Sequence, residues 1–436
     1  MKKLHACFLL IILFSGIQAL YADLPVVRVR IINAEDKIEL SFNTKVNIIT
    51  AESNSHTLRG KNHLLISQED EKMIISNIEG EVLLKSTSFR IDNNDPGKSI
   101  EIKKVPFGNG WWWAGEEDRS YPGDLEFYIN KENRIDVINI VNIENYLYGV
   151  IPAEIGIEAP AEALKAQAVC ARSEALIGLE TGKYSGVHYD LTADVMTQVY
   201  QGVGETNEAV RKAVDATRGE VLAYKDTVIS AYYSSNCGGH TEDIENIWPE
   251  RSAHRPYWSG NPDMEKAAAP DLRQPDNIRD WIESEPDVWC RTDESTPEWA
   301  KNNFRWKRSV DPGELSKALA VKYRNIGRIY DIVPLERGSS GRINDILFIG
   351  DSGHIRIKGE LEIRRLWDSP LRSSCFVVDK IGPAGRPASF IITGAGWGHG
   401  VGMCQAGAIA MAGKGKTYHD ILDHYFWGSH IQKKYK

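Results

Sequence analysis

Glu154 is the one residue of this chain placed as a proton-moving carboxyl would be. It follows Tyr146, Tyr148 and Ile151, which would shelter it, and Pro152, just ahead of a helical stretch. A sheltered carboxyl disfavours its ionised form, stays protonated near neutral pH, and can hand a proton to a leaving oxygen. The competing reading is an exposed loop glutamate. Arg172, 18 residues further on, offers a planar guanidinium suited to a two-oxygen target, or else a surface arginine with its stem laid along the protein. His399 stands between Gly398 and Gly400. Glycines let backbone come close to a ligand, and free N–H groups in such a loop can hold an anion or a sugar oxygen. His399 and His240 each read equally as a polar ligand group or as a core histidine with its bonds satisfied.

The elements that would position these residues alternate between strand and helix patterns. Residues 25–105 read as short strands: Val27-Val29-Ile31, Ile38-Leu40-Phe42 and Val46-Ile48 alternate apolar and polar positions, and Asn93–Gly97 is a turn. Trp111, Trp112 and Trp113 suit either a sugar-stacking platform or core packing. Further strands are expected at Leu125–Ile129 and Ile135–Val141, then a short helical turn over Asn142–Val150. A longer helix is predicted from about Pro160 to Thr181, with Leu164, Ala168, Ala171, Ala175 and Leu179 on one face and Gly182 as its stop. A helix near Asn207–Thr217 and a hairpin around Lys225-Asp226 follow. Residues 243–330 are less periodic and read as an insertion, with helices expected at Asp280–Glu285 and Glu314–Tyr323. Strands then return, and Cys404–Ala412 and Tyr418–Tyr425 read as closing helices.

The 436 residues exceed one ordinary domain. Lys2 and Lys3, the apolar run Ala6–Phe14, and Ala19 and Ala22 have the pattern of a signal peptide over residues 1–22, so the chain is expected to be exported to the periplasm or cell envelope. Losing those two lysines takes the formal charge from −8 to −10, which disfavours nucleic acid as a partner. Five cysteines remain (Cys170, Cys237, Cys290, Cys375 and Cys404); the sequence assigns no disulfides, and the lack of any CxxC pair argues against a structural zinc site.

Four separated segments resemble the SpoIID/LytB family. They are Asn145–Glu154 continuing through Glu162–Arg172; Asp190–Tyr200, ending Gln198-Val199-Tyr200; Ala231–Glu242, containing Cys237-Gly238-Gly239-His240; and Gly396–Ala408, beginning Gly396-Trp397-Gly398-His399-Gly400. The resemblance covers roughly residues 120–430. It implies an α+β fold with mixed sheets and helices packed around a substrate cleft, preceded by a β-rich region. The division expected is 23–115 for that region, 116–242 and 331–436 for the core, and 243–330 for the insertion. It implies that Glu154 is catalytic and that Arg172 faces the cleft, where it could hold the lactyl carboxylate of N-acetylmuramic acid. Tyr257, His399, His240 and Gln198 are implied as further substrate contacts, with Ser259 standing where relatives often have a basic or polar residue. Some sporulation members carry zinc at positions that here are Thr192, Met196 and Thr197, poor ligands, so no metal and no cofactor is expected there. The implied activity is a lytic transglycosylase acting on peptidoglycan glycan strands stripped of stem peptides. The alternative is a non-catalytic wall-binding enhancer of an N-acetylmuramoyl-L-alanine amidase, and a structural envelope protein is a weaker third reading.

Overall fold

The computed structural model describes residues 24–108, 113–251, 255–265, 269–293, 296–367 and 369–436. The expected signal peptide, and Trp111 and Trp112, lie outside these residues.

The fold is α+β. The alternating patterns of the first part become two antiparallel-rich sheets. One has seven strands, in the order Leu191–Thr192, Val26–Glu35, Ile135–Asn142, Asp124–Ile129, Ser88–Asn93, Val46–Thr50 and Ser55–Leu58. The other has six, running from Gly115–Pro122 through Ser99–Phe107, Lys37–Asn43, Lys61–Glu69 and Lys72–Asn77 to Val82–Ser86. Their inward residues, among them Val27, Val29, Leu40, Ile66, Ile102, Phe127 and Val137, are removed from solvent and belong to one core. Each side chain of that size contributes roughly 1.5–3 kcal/mol by leaving water. The strand Val26–Glu35 pairs along its length with Ile135–Asn142. The β-rich beginning and the segment leading to Glu154 therefore share a sheet, across the expected boundary at 115.

The helix after that sheet is longer than its sequence suggests. Helix α1 spans Ile143–Ile155, starting where the Asn142 side chain accepts from the Asn145 N–H at 2.9 Å and ending at Gly156 with φ 83°. Pro152 sits inside its last turn, where only one intrahelical bond is lost. Glu154 is thus on the final turn of a helix, not in a loop before one. Helix α2 spans Ala161–Thr181 and stops at Gly182, left-handed as expected at φ 56°. Its buried alanines let it touch α1 and the helices Glu208–Ala216, Gln405–Gly413 and Tyr418–Tyr425. Lys225 and Asp226 both take positive φ in the tight hairpin between Glu220–Tyr224 and Thr227–Val228.

Residues 243–330 do not form one unit. Leu272, Ile278, Trp281, Trp289 and Phe304 pack into the main core, whereas Trp306, Leu315, Ile329 and Phe348 begin a second core that runs to Ile392. The longer helices among the described residues there are Pro275–Glu283 and Pro312–Lys322. Among the described residues no helix is long and apolar enough to cross a membrane.

Candidate active site

Three segments distant in sequence meet at Glu154. The first is the end of α1, which carries it. The second is the 190–202 stretch, fixed to the sheet edge by the pairing of Leu191 and Thr192 with Val29 and Arg30. This stretch crosses α1 at Gly149, where a Cβ would lie 2.2 Å from the Gly202 carbonyl oxygen; only glycine allows that approach. The crossing brings the Val199 N–H onto Glu154 Oε1 at 2.7 Å. The third is the short parallel pair Tyr233–Ser234 with Met403–Cys404, which delivers the side chains of Tyr233 and Gln405 to the same carboxyl.

Desolvation dominates the electrostatics and pushes the Glu154 carboxyl up to about 7, against the opposing pull of the Val199 N–H, Gln405 and Tyr233. Its place in the last turn of α1 acts in the same direction, because the C-terminal end of a helix repels negative charge. Glu154 and Tyr233 each keep part of their surface open, while Tyr146, Gln198, Gln405 and Gln167 beneath them are buried. The carboxyl therefore sits on a polar floor, carried by a residue that is itself only partly buried.

Gln198 organises that floor. Its Oε1 accepts from the Tyr233 hydroxyl at 2.7 Å, and its Nε2 donates to the Ala171 carbonyl at 3.2 Å and to the Tyr146 hydroxyl at 3.4 Å. Gln405 Nε2 donates to Gln167 Oε1 at 3.3 Å. Gln198 is a positioning residue here, not an open substrate contact. The Tyr233 hydroxyl has one proton and two acceptors. When Glu154 is protonated, Tyr233 gives that proton to Gln198; when Glu154 is ionised, the charge competes for it.

Sequence reasoning missed a second carboxyl. Glu174 lies on α2, partly buried, and desolvation raises it to about 7 as well. Tyr146 and Tyr233 both feel the charges of Glu154 and Glu174. Glu174 Oε1 is buried without a hydrogen-bond partner among the described residues. Two residues past Arg172, Glu174 points to another side of α2, and nothing in the sequence marked it.

The remaining expected residues are placed differently. Arg172 is fully buried and does not face Glu154: it donates to both oxygens of Glu144, at 3.0 and 2.8 Å, and to the Glu220 and Val214 carbonyls. Its donors are spent holding α1 to α2, which leaves none for a substrate carboxylate. Tyr148, expected to shelter Glu154, turns to Asp215 at 2.6 Å. Tyr257 is buried against Tyr224 and Trp258. His240 Nδ1 donates to the Thr241 carbonyl at 2.7 Å, and burial lowers its pKa, so it is a neutral core histidine. His399 Nδ1 accepts from the Val401 N–H at 3.0 Å, and the ring also bonds the Tyr233 backbone. Burial first, then Arg342 and Arg364, push it down to about 3. With both ring nitrogens engaged, His399 supports the strand that carries Tyr233.

The glycine loop is held at its two ends. The N–H groups of Gly396, Trp397, Gly398, Val401 and Met403 are all bonded within the protein. Gly400, at φ 81°, leaves room for the Arg342 guanidinium, 2.5 Å from where a Cβ would stand. Trp113 meets Trp397 edge to face at 5.8 Å, which joins Trp113 to this loop. At the position where some sporulation members hold zinc, Thr192 bonds Asp194 at 2.9 Å and Thr197 at 3.1 Å. All five described cysteines are buried and unpaired as disulfides.

Comparison with known proteins finds several related chains. Residues 131–224 match the family model described as stage II sporulation protein, and residues 242–402 match a domain of unknown function. An uncharacterised protein of Brachyspira hyodysenteriae is 32% identical over 83% of this chain and 85% of its own length. The stage II sporulation protein D of Bacillus subtilis is 25% identical over 78% of this chain and 88% of its own length. The amidase enhancer of Bacillus subtilis is 28% identical over 65% of this chain, which spans 40% of that longer protein. On these matches, the chain belongs to the SpoIID/LytB family.

Proposed function

We propose that this protein is an exported cell-wall enzyme, a peptidoglycan lytic transglycosylase with Glu154 as its single acid and base. The observation that carries the reading is the convergence of the Val199 N–H, Tyr233 and Gln405 on a desolvated carboxyl, which burial pushes up to about 7, on a partly buried residue. In that state Glu154 gives its proton to the oxygen linking N-acetylmuramic acid to N-acetylglucosamine. The C1–O bond breaks and the departing sugar leaves with a free hydroxyl. The muramic C6 hydroxyl then attacks C1 and returns its proton to Glu154, closing a 1,6-anhydro ring. No water is consumed and the carboxyl ends as it began. One carboxyl suffices, unlike the paired carboxyls of ordinary glycoside hydrolysis.

The buried Arg172 removes the expected holder of the muramic lactyl group, so recognition falls to the open sides of Glu154 and Tyr233 and their surroundings. Purified protein incubated with glycan strands lacking stem peptides is expected to release 1,6-anhydro ends, detected by mass spectrometry, and Glu154→Gln to release none. The similarity to an amidase enhancer favours a second reading, in which the chain binds wall glycan and places an amidase. Under it, Glu154→Gln would keep both glycan binding and amidase stimulation, and no anhydro ends would form with either chain.

A further inference from the structure

Four buried donors converge at a place that the proposed chemistry does not use. Cys237, Asp263, Cys290 and Cys404 are each 2% exposed or less, and their ligand atoms all lie within 4.8 Å of one another. Cys237 Sγ is 3.5 Å from Cys290 Sγ and 3.4 Å from Asp263 Oδ2. Around one tetrahedral zinc ion, with about 2.3 Å to sulfur and about 2.0 Å to oxygen, neighbouring donors would stand about 3.5–3.8 Å apart. A disulfide needs its sulfurs at about 2.05 Å and could satisfy only two of the three thiols.

The surroundings are those of an oriented ligand shell. Cys404 Sγ accepts the N–H groups of Cys237 at 3.2 Å and Gly407 at 3.4 Å. Asp263 Oδ2 accepts the Cys290 N–H at 3.0 Å, and its other oxygen accepts the Tyr425 hydroxyl at 2.7 Å with His424 Nε2 3.5 Å away. Such outer bonds fix ligand direction at metal sites. Three thiolates and a carboxylate around a divalent ion leave a net charge of −2. Arg305 donates to the Gly238 carbonyl and Arg342 to the Cys237 carbonyl, so two guanidinium groups stand beside the cluster. The donor set of soft sulfur with one oxygen suits zinc.

We infer that Cys237, Asp263, Cys290 and Cys404 form a structural zinc site, distinct from the Thr192–Thr197 position. Its donors come from four segments. Cys404 caps the helix that begins with Gln405, and Cys237 follows the strand of Tyr233, so the ion ties both neighbours of Glu154 to the 263–290 segment. The inference stands whether or not the chain cleaves glycan.

The test is the zinc content of the full chain, purified under reducing conditions from zinc-supplemented culture and measured by plasma mass spectrometry. About one zinc per chain is expected, with loss of zinc on thiol modification and, after cobalt exchange, the thiolate-to-cobalt and tetrahedral d–d absorption bands. Cys404→Ser and Asp263→Asn should lower the stoichiometry, while Cys170→Ser and Cys375→Ser should not. Because a variant at the cluster can fail to fold, the cobalt spectrum of the unmodified chain serves as the independent measurement. Folded wild type without zinc and without those bands overturns the site, as does a Cys237–Cys290 disulfide peptide in protein never exposed to oxidant during purification.

Discussion

The Arg172 guanidinium closes on the Glu144 carboxylate through two hydrogen bonds, at 3.0 and 2.8 Å, with neither group open to solvent. The Tyr435 hydroxyl adds a third bond to Glu144 at 2.6 Å. Removing Arg172 would leave a buried charge unpaired. Arg172→Ala is therefore expected to lower the unfolding free energy by about 3–5 kcal/mol in urea titrations. The double change Arg172→Met with Glu144→Leu should cost much less, because it removes both charges together. A stable Arg172→Ala protein with only a raised KM would instead return this arginine to the cleft.

Raising the Glu154 carboxyl to about 7 sets the pH dependence of the proposed reaction. The acid form is needed first, so kcat/KM on glycan strands should fall about tenfold per pH unit well above 7. Glu154→Gln cannot supply a proton at any pH and should lose at least about a hundredfold. A profile that stays flat from pH 6 to 9 would refute this assignment.

Stability should carry the same signature. A carboxyl whose folded pKa lies above its unfolded one makes no difference below about 4.5, where both states are protonated, and destabilises the fold increasingly as pH rises through 7. Glu154→Gln should therefore be more stable than wild type at pH 8, by up to about 3 kcal/mol, and equal to it near pH 4. Glu174→Gln should behave alike, since desolvation raises that group to about 7 as well. The check is thermal or urea unfolding at both pH values.

Tyr233 and Gln198 give predictions of opposite sign. Tyr233→Phe removes a donor that favours ionised Glu154, so the alkaline fall in rate should move to higher pH. Gln198→Ala frees the Tyr233 hydroxyl to donate to Glu154, and the same limb should move to lower pH. Movement of both in one direction would mean that the hydroxyl is not shared between the two acceptors.

Glu174 tests the one-carboxyl scheme directly. If Glu154 alone moves protons, Glu174→Gln should keep the anhydro product and a rate within about threefold of wild type, far less than the hundredfold loss typical of a missing acid. Loss of activity together with reducing-end products in wild type would point to water activation by this second carboxyl.

Much of the fold was legible locally. Period-two alternation marked the strands at 27–48, and Pro160 and Gly182 bracketed α2, because caps and periodicity are local properties. Helix α1 read short because Pro152 usually ends a helix, yet in a last turn it costs little. The motifs were also visible, but not the direction in which each side chain turns. Arg172 shares its motif with Glu154, and His399 shares its motif with Gln405, yet Arg172 and His399 are both spent on internal bonds.

By itself the sequence determined the α+β pattern, the resemblance to the SpoIID/LytB family, and Glu154 as the residue to watch. Only the tertiary structure decided what surrounds that residue. Val199, Tyr233 and Gln405 reach it from 45, 79 and 251 positions away along the chain, and the Cys237–Asp263–Cys290–Cys404 cluster likewise joins distant segments. Local propensity acts over a few residues, whereas the desolvation that raises a carboxyl, and the convergence that could bind an ion, depend on which remote segments the core brings together.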